Sequence, residues 1–370
     1  MKKTLDTLPV LDGVMSSSFC ACLSSVLLSQ NKRIKANTQS GQKRLWSTFH
    51  SVLTASGLNF SYIYINNLST YSKLNYENIF FDEYIKYALN FGNCNYHIET
   101  NNFNEEIIKS INNNIPVIAE GFTDLGWCLI TGYDDIENKL FGYSIGCPNC
   151  DSCSNCVERY DNIQYENGLF SISLSNRLPK RIVIIDDFNA KPFDYQEYFS
   201  YWLSIMERKA QGDYLFGLEA FDAVIALLEN DEYFENIDND RLKEVYKFLF
   251  TNSFIPEYRC FVAFGLQSAQ SKRALRKHIG LLDDANLEIE QGLQTIISNG
   301  FQSHKIGWKY WAKLSDEKVW HINTEKHSEK LRDKKVRKMV ITQINKLRKF
   351  DESTLFVLKN NCSEQYSIQI

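Results

Sequence analysis

Long apolar runs are missing from this chain of 370 residues. No stretch approaches the roughly 18 uncharged apolar residues of a membrane-spanning helix. The nearest N-terminal candidate, Val14 to Leu28, is diluted by Ser16, Ser17, Ser18, Ser24 and Ser25, and Asp6 and Asp12 spoil the basic leader of a secretory signal. An excess of one charge is missing as well. Forty-one basic against 45 acidic side chains leave a formal net charge of -4, so no global field gathers phosphate backbones and general nucleic-acid binding is not expected. Cysteine, at 10 residues, is too sparse for a disulfide scaffold, and there is no internal repeat and no long low-complexity tract. What is left is ordinary globular composition, 44% hydrophobic and 23% charged, enough for one large or two modest domains. A cytoplasmic protein without a membrane span is the expectation.

The texture of the chain changes near its middle. From Pro116 to about Asp187 short β-type runs, "PVIAEGF", "GWCLITGY", "KLFGYSIG", "GLFSISL" and "KRIVIID", alternate with Gly, Asn and Asp turn signals and predict an antiparallel sheet. Before it, "SSSFCACLSSVLLSQ" puts Phe19, Leu23, Val26 and Leu27 on one helical stripe with serines available as N-caps, and "NEEIIKSINNN" reads as an amphipathic helix. After "DDFNAKPFDYQEYF" helical spacing takes over, and the last helix carries Val336, Val340, Ile344 and Leu347 beside a cationic run from Lys334 to Lys349. Such a helix ordinarily docks through its apolar stripe and leaves its charges in water. The expected organisation is an α+β domain over 1–188 and a helical domain over 189–370.

Four of the ten cysteines fall in "CPNCDSCSNC", where Cys147, Cys150, Cys153 and Cys156 follow one another with two residues between. A pair of thiolates so spaced folds over one metal ion. Zinc is the favoured occupant and an iron–sulfur cluster the lesser one, because "CPNC" makes a good knuckle and nothing else in the chain points to electron transfer. Cys20, Cys22, Cys94, Cys128, Cys260 and Cys362 stand mostly among apolar neighbours, where a reduced cysteine behaves as a small hydrophobe.

Cys20 and Cys22 carry a second meaning. A small-residue turn leading into an apolar helix, as in "SSSFCACLSSVLL", is where cysteine hydrolases and acyltransferases place a nucleophile, since the helix N-terminus favours thiolate. Together with "GWCLITGYDD", and with "GDYLFGLEAFDAVIALLEND" and "IPEYRCFVAFGL" further on, this resembles the papain-like fold of the double-glycine bacteriocin-processing peptidases and of the butirosin biosynthesis protein H family, N-terminal domain, over about residues 14 to 270. The resemblance implies a papain-like α+β fold and acyl or amide chemistry on a small molecule or a carrier-protein-bound acyl group. It also implies a nucleophile five residues before Leu23, which is Ser18, with Cys20 and Cys22 at shifted places. A base six residues before Gly132 is implied too, and Gly126 stands there in place of the histidine. The group that orients the base belongs around "LFGYSIG", which has no carboxylate.

Among the other imidazoles, His97 in "NCNYHIET" is the better substitute base and His50 in "WSTFHSVL" the lesser. Two function classes follow: an acyltransferase- or amidase-like enzyme using Cys20 or Cys22 with His97, and a catalytically inactive relative that binds a small ligand or protein partner in the former cleft.

Overall fold

The computed structural model describes residues 2–7, 18–30, 39–60, 62–66, 82–121, 126–144, 164–166, 169–173, 178–191, 195–252, 259–260, 262–264, 266, 287–314 and 324–362. The four-cysteine loop lies outside them. In chain order the elements are β1 (Lys2–Thr4), α1 (Ser18–Ser29), α2 (Gln39–Ser56), β2 (Ile63–Ile65), α3 (Glu83–Phe91), β3 (Asn95–Glu99), α4 (Phe103–Asn112), β4 (Val117–Glu120), β5 (Trp127–Asp134), β6 (Lys139–Ser144), β7 (Gln164–Glu166), β8 (Leu169–Ser173) and β9 (Arg181–Asp187). There follow α5 (Tyr195–Met206), β10 (Tyr214–Phe216), α6 (Gly217–Glu229), α7 (Asp231–Asn236), α8 (Asn239–Asn252), α9 (Leu287–Leu314), α10 (Thr324–Ser328) and α11 (Lys334–Cys362). The fold is α+β, helix with antiparallel sheet.

The chain divides into two compact units, Met1–Ser56 with Asn75–Phe193, and Gly57–Leu74 with Asp194–Ile370. In the first, an antiparallel sheet runs β3-β9-β4-β5-β6-β8-β7, and β1 pairs with the far half of β5. The alternation of side chains sorts its two faces. Val117 and Ala119 of β4, Cys128 and Ile130 of β5, and Ile182 and Ile184 of β9 join Phe103, Ile107 and Ile111 of α4 in one buried cluster. The intervening residues face α1 and α3: Trp127 meets the ring of Phe19 at 5.1 Å, edge to face. The sheet is a middle layer with a helix on one side and helices on the other.

α1 departs from the expected single stripe. Ser18 through Val26 are all buried, and the two mid-helix serines bond back to the helix: Ser24 Oγ donates to the Cys20 carbonyl at 2.6 Å and Ser25 Oγ to that of Ala21 at 3.3 Å. A hydroxyl satisfied by its own helix can be buried on any side.

The second unit draws on two stretches of chain because β2 pairs antiparallel with β10, and Tyr62 stacks on Phe221 of α6 at 3.8 Å. Sequence texture, which parts the chain at 188/189, holds no sign of this excursion. In α11, Val340, Ile344, Leu347 and Leu358 are buried, and the helix packs along α9, α6 and α5. Its basic run is not wholly solvated, however. Arg337 is buried, donating to the carbonyls of Leu228, Leu331 and Arg332 and pairing with Asp231. No described helix is long and apolar enough to cross a membrane.

Candidate functional site

The places that the family resemblance assigns to nucleophile and base come together. Ser18 opens α1 and Gly126 leads into β5, and the amide N–H of Trp127 donates to Ser18 Oγ at 3.1 Å. Gly126 has φ +91°, a backbone region costly for any residue with a Cβ, histidine included. The Gly121 amide donates to the Gly126 carbonyl at 3.0 Å.

A charged group lies against the Trp127 ring. Glu120 ends β4 and Arg181 begins β9; they are cross-strand partners on the α1 face, and Arg181 Nε donates to the Glu120 carboxylate. Arg181 Nη1 donates to Asp82, the residue before α3, itself held at φ 67°. The guanidinium lies 5.1 Å from the centroid of Trp127, whose indole N–H donates to the Tyr84 hydroxyl at 3.0 Å. Burial works against the Arg181 charge, but the hydrogen bonds to Asp82 and Glu120 carry its pKa above the ordinary arginine value. Two carboxylates on one guanidinium leave the cluster with one net negative charge. Burial, with Asp82 adding to it, likewise pushes the Tyr96 phenol upward.

As chemistry, this arrangement holds and orients rather than transfers protons. Arg181 never gives up its proton, and both carboxylates are committed to it, so neither is poised to activate the Ser18 hydroxyl.

Cys20 and Cys22 lie one turn and less into α1, both at 0% exposure. His97 stands elsewhere. It pairs with Ile184 across the β3–β9 ladder, and so faces α4, on the side of the sheet away from α1. Its Nδ1 sits 3.0 and 3.1 Å from the two oxygens of Asp186. Because an ionised carboxylate only accepts, Nδ1 carries the proton. Nε2 points to Glu106 of α4 at 3.8 Å. Glu99 fixes where α4 begins, since its carboxylate accepts the amides of Asn101, Thr100 and Asn102, which holds it below the usual carboxylate range. The structure therefore builds an oriented imidazole, but does not bring it to Cys20 or Cys22.

No protein-family model matches the chain, and no curated protein matches it.

Cys147, Cys150, Cys153 and Cys156, expected to hold zinc or, second, an iron–sulfur cluster, lie outside the described residues. His50 on α2 is half-buried beside Trp46 and Phe49, and burial pulls its pKa down to about 4, leaving it a poor proton acceptor. Sequence reasoning missed Asp82, Glu120, Trp127 and Arg181. For Glu120 and Arg181 the signal was present: a carboxylate closing the apolar run "PVIAE" and an arginine opening "RIVII" belong at one end of neighbouring strands.

Proposed function

We propose that the first unit is a papain-like domain whose catalytic place serves binding, so that the protein takes a small ligand or a protein partner there and performs no cysteine-dependent acyl or amide chemistry. The observation that carries this reading is the hydrogen bond from the Trp127 amide to Ser18 Oγ at 3.1 Å, with Gly126 in the position of the base. A hydroxyl is activated by a base that takes its proton; here the carboxylates nearest Trp127, Glu120 and Asp82, are both engaged by Arg181, and Gly126 offers no side chain. The burial of Cys20 and Cys22 and the position of His97 on the other face of the sheet support it further.

The competing reading, transfer of an acyl group from a carrier-bound or small-molecule donor through Cys20 or Cys22, requires a thiolate near neutral pH and a base within about 3 Å of it. The two readings separate in one experiment. Native protein treated with iodoacetamide at about pH 7, and in parallel with an acyl thioester probe, is digested and its ten cysteines ranked by mass spectrometry. The expected outcome is that Cys20 and Cys22 label no faster than Cys128 and Cys260, all of them only after unfolding, and that no acyl adduct forms. A stoichiometric adduct on Ser18, Cys20 or Cys22 in the native protein overturns the proposal.

We also propose that the loop of Cys147, Cys150, Cys153 and Cys156 binds zinc as a structural ion, on the ligand type and spacing in the sequence.

A further inference from the structure

The second unit contains a small cavity of about 20 Å³ whose walls are apolar over most of their area, from Phe60, Met206, Val262, Ile296 and Phe350, and polar at a few points. Asn299 and Ser303 come from α9, one turn apart, and Asp351 and Thr354 from α11. Arg259 closes another side, and Asp351 holds its guanidinium as a two-pronged ion pair, one oxygen to each terminal nitrogen. Nearly all of these residues are withdrawn from bulk solvent: Ser303 is 0% exposed, Asp351 3% and Arg259 8%.

The polar atoms around the cavity are not equally satisfied. Asn299 Nδ2 donates to the Phe350 carbonyl at 3.3 Å and to Thr354 Oγ1 at 3.4 Å. Ser303 Oγ is buried without any hydrogen-bond partner, although a helical serine ordinarily bonds back to the carbonyl four residues earlier, as Ser24 and Ser25 do. An orphaned buried hydroxyl costs about 1–3 kcal/mol, so a hydroxyl that forgoes its own helix at the wall of a cavity shared with Asn299, Asp351 and Thr354 gains from a polar partner inside it. Size selects that partner. About 20 Å³ exceeds the roughly 10–15 Å³ that a cavity needs in order to hold one water, and Asn299, Ser303, Asp351 and Thr354 supply the two to four polar neighbours a buried water needs.

We propose that this cavity is a binding site for a single resident water, which hydrogen-bonds Ser303 Oγ and bridges α9 to the Asp351 and Thr354 side of α11. Gly300 is part of the construction: a Cβ there would stand 2.5 Å from the Arg259 carbonyl and 2.8 Å from Ala263 Cβ, so its absence lets the Arg259 segment close over the cavity. The water gives Asp351 a second polar neighbour where burial pushes its carboxyl up to about 6 against the pull of Arg259.

The test is a crystal structure of the full chain at about 2 Å or better, paired with the melting temperature of Ser303→Ala. Density for one water within 3.2 Å or so of Ser303 Oγ is the expected result. The alanine protein should then melt a few degrees below the wild type, since the water loses a partner. The sign of that shift is informative by itself: with an empty cavity the substitution only removes an unsatisfied hydroxyl, and the Tm stays level or rises. An empty cavity in the crystal, or a Tm that does not fall, overturns the proposal.

Discussion

His50 shows how a single side chain writes the pH dependence of the fold. Burial lowers its pKa from 6.5 to about 4, so between those values the unfolded chain holds a proton that the folded one refuses. The contribution to stability is complete above about pH 6.5 and is lost as the pH falls toward 4; the full shift is worth at most about 3 to 4 kcal/mol. Urea midpoints of the wild type should therefore fall across this window, and His50→Gln should flatten that part of the profile while leaving the carboxylate-driven fall below pH 4. An unchanged slope in the variant would place the acid sensitivity elsewhere. Burial also explains the thiols, since Cys94 is pushed up to about 12 by burial and then by Asp187 and should stay unlabelled in the native protein. None of this was legible in the sequence. A histidine next to phenylalanine reads the same whether its ring is wet or dry, and the charge it meets depends on chain that is distant in sequence.

At the scale of elements, more could be read in advance. The runs "PVIAEGF", "GWCLITGY", "KLFGYSIG", "GLFSISL" and "KRIVIID" became β4, β5, β6, β8 and β9, because each is apolar enough to need burial and ends in residues that leave a strand. β1 and β2 escaped notice: three residues each carry no period, and only their partners, β5 and β10, define them. His97 could be placed on a strand from its neighbours, but the face it takes depends on register with β9, and a shift of one residue would reverse it. Spacing alone speaks for the four-cysteine loop, and the loop makes a sharp prediction. Protein purified without added metal should contain about one equivalent of zinc, and Cys147→Ser with Cys150→Ser should remove it and lower the Tm. Four thiols that titrate freely in metal-free native protein would sink the assignment, and absorbance near 400 nm would transfer it to an iron–sulfur cluster.

At the scale of the whole molecule, the consequential feature is that the second unit takes Gly57–Leu74 from the middle of the first. Composition marked the change near residue 190 because helical spacing replaces strand alternation there. It could not mark 57–74, whose membership rests on pairing with residues some 150 positions away: Ile63 opposite Phe216, Tyr64 opposite Leu215 and Ile65 opposite Tyr214. The stretch also supplies two aromatic stacks, Tyr62 on Phe221 and Phe60 on Trp202 at 4.7 Å. Aromatic pairs of this kind add about 0.5–1.5 kcal/mol each beyond the area they bury, and the loss of β2 leaves β10 without its ladder. A fragment of residues 194–370 should accordingly keep its far-UV helical signal and lose near-UV tyrosine and tryptophan order, and a synthetic peptide of residues 57–74 should restore that order at micromolar concentration. A peptide with Tyr62→Ala should restore less, because it returns the strand without the stack. Should the fragment alone show a sharp, native-like melting transition that the peptide does not move, the excursion would be ornament on a self-sufficient helical unit, and the division near residue 190 would be the physically meaningful one.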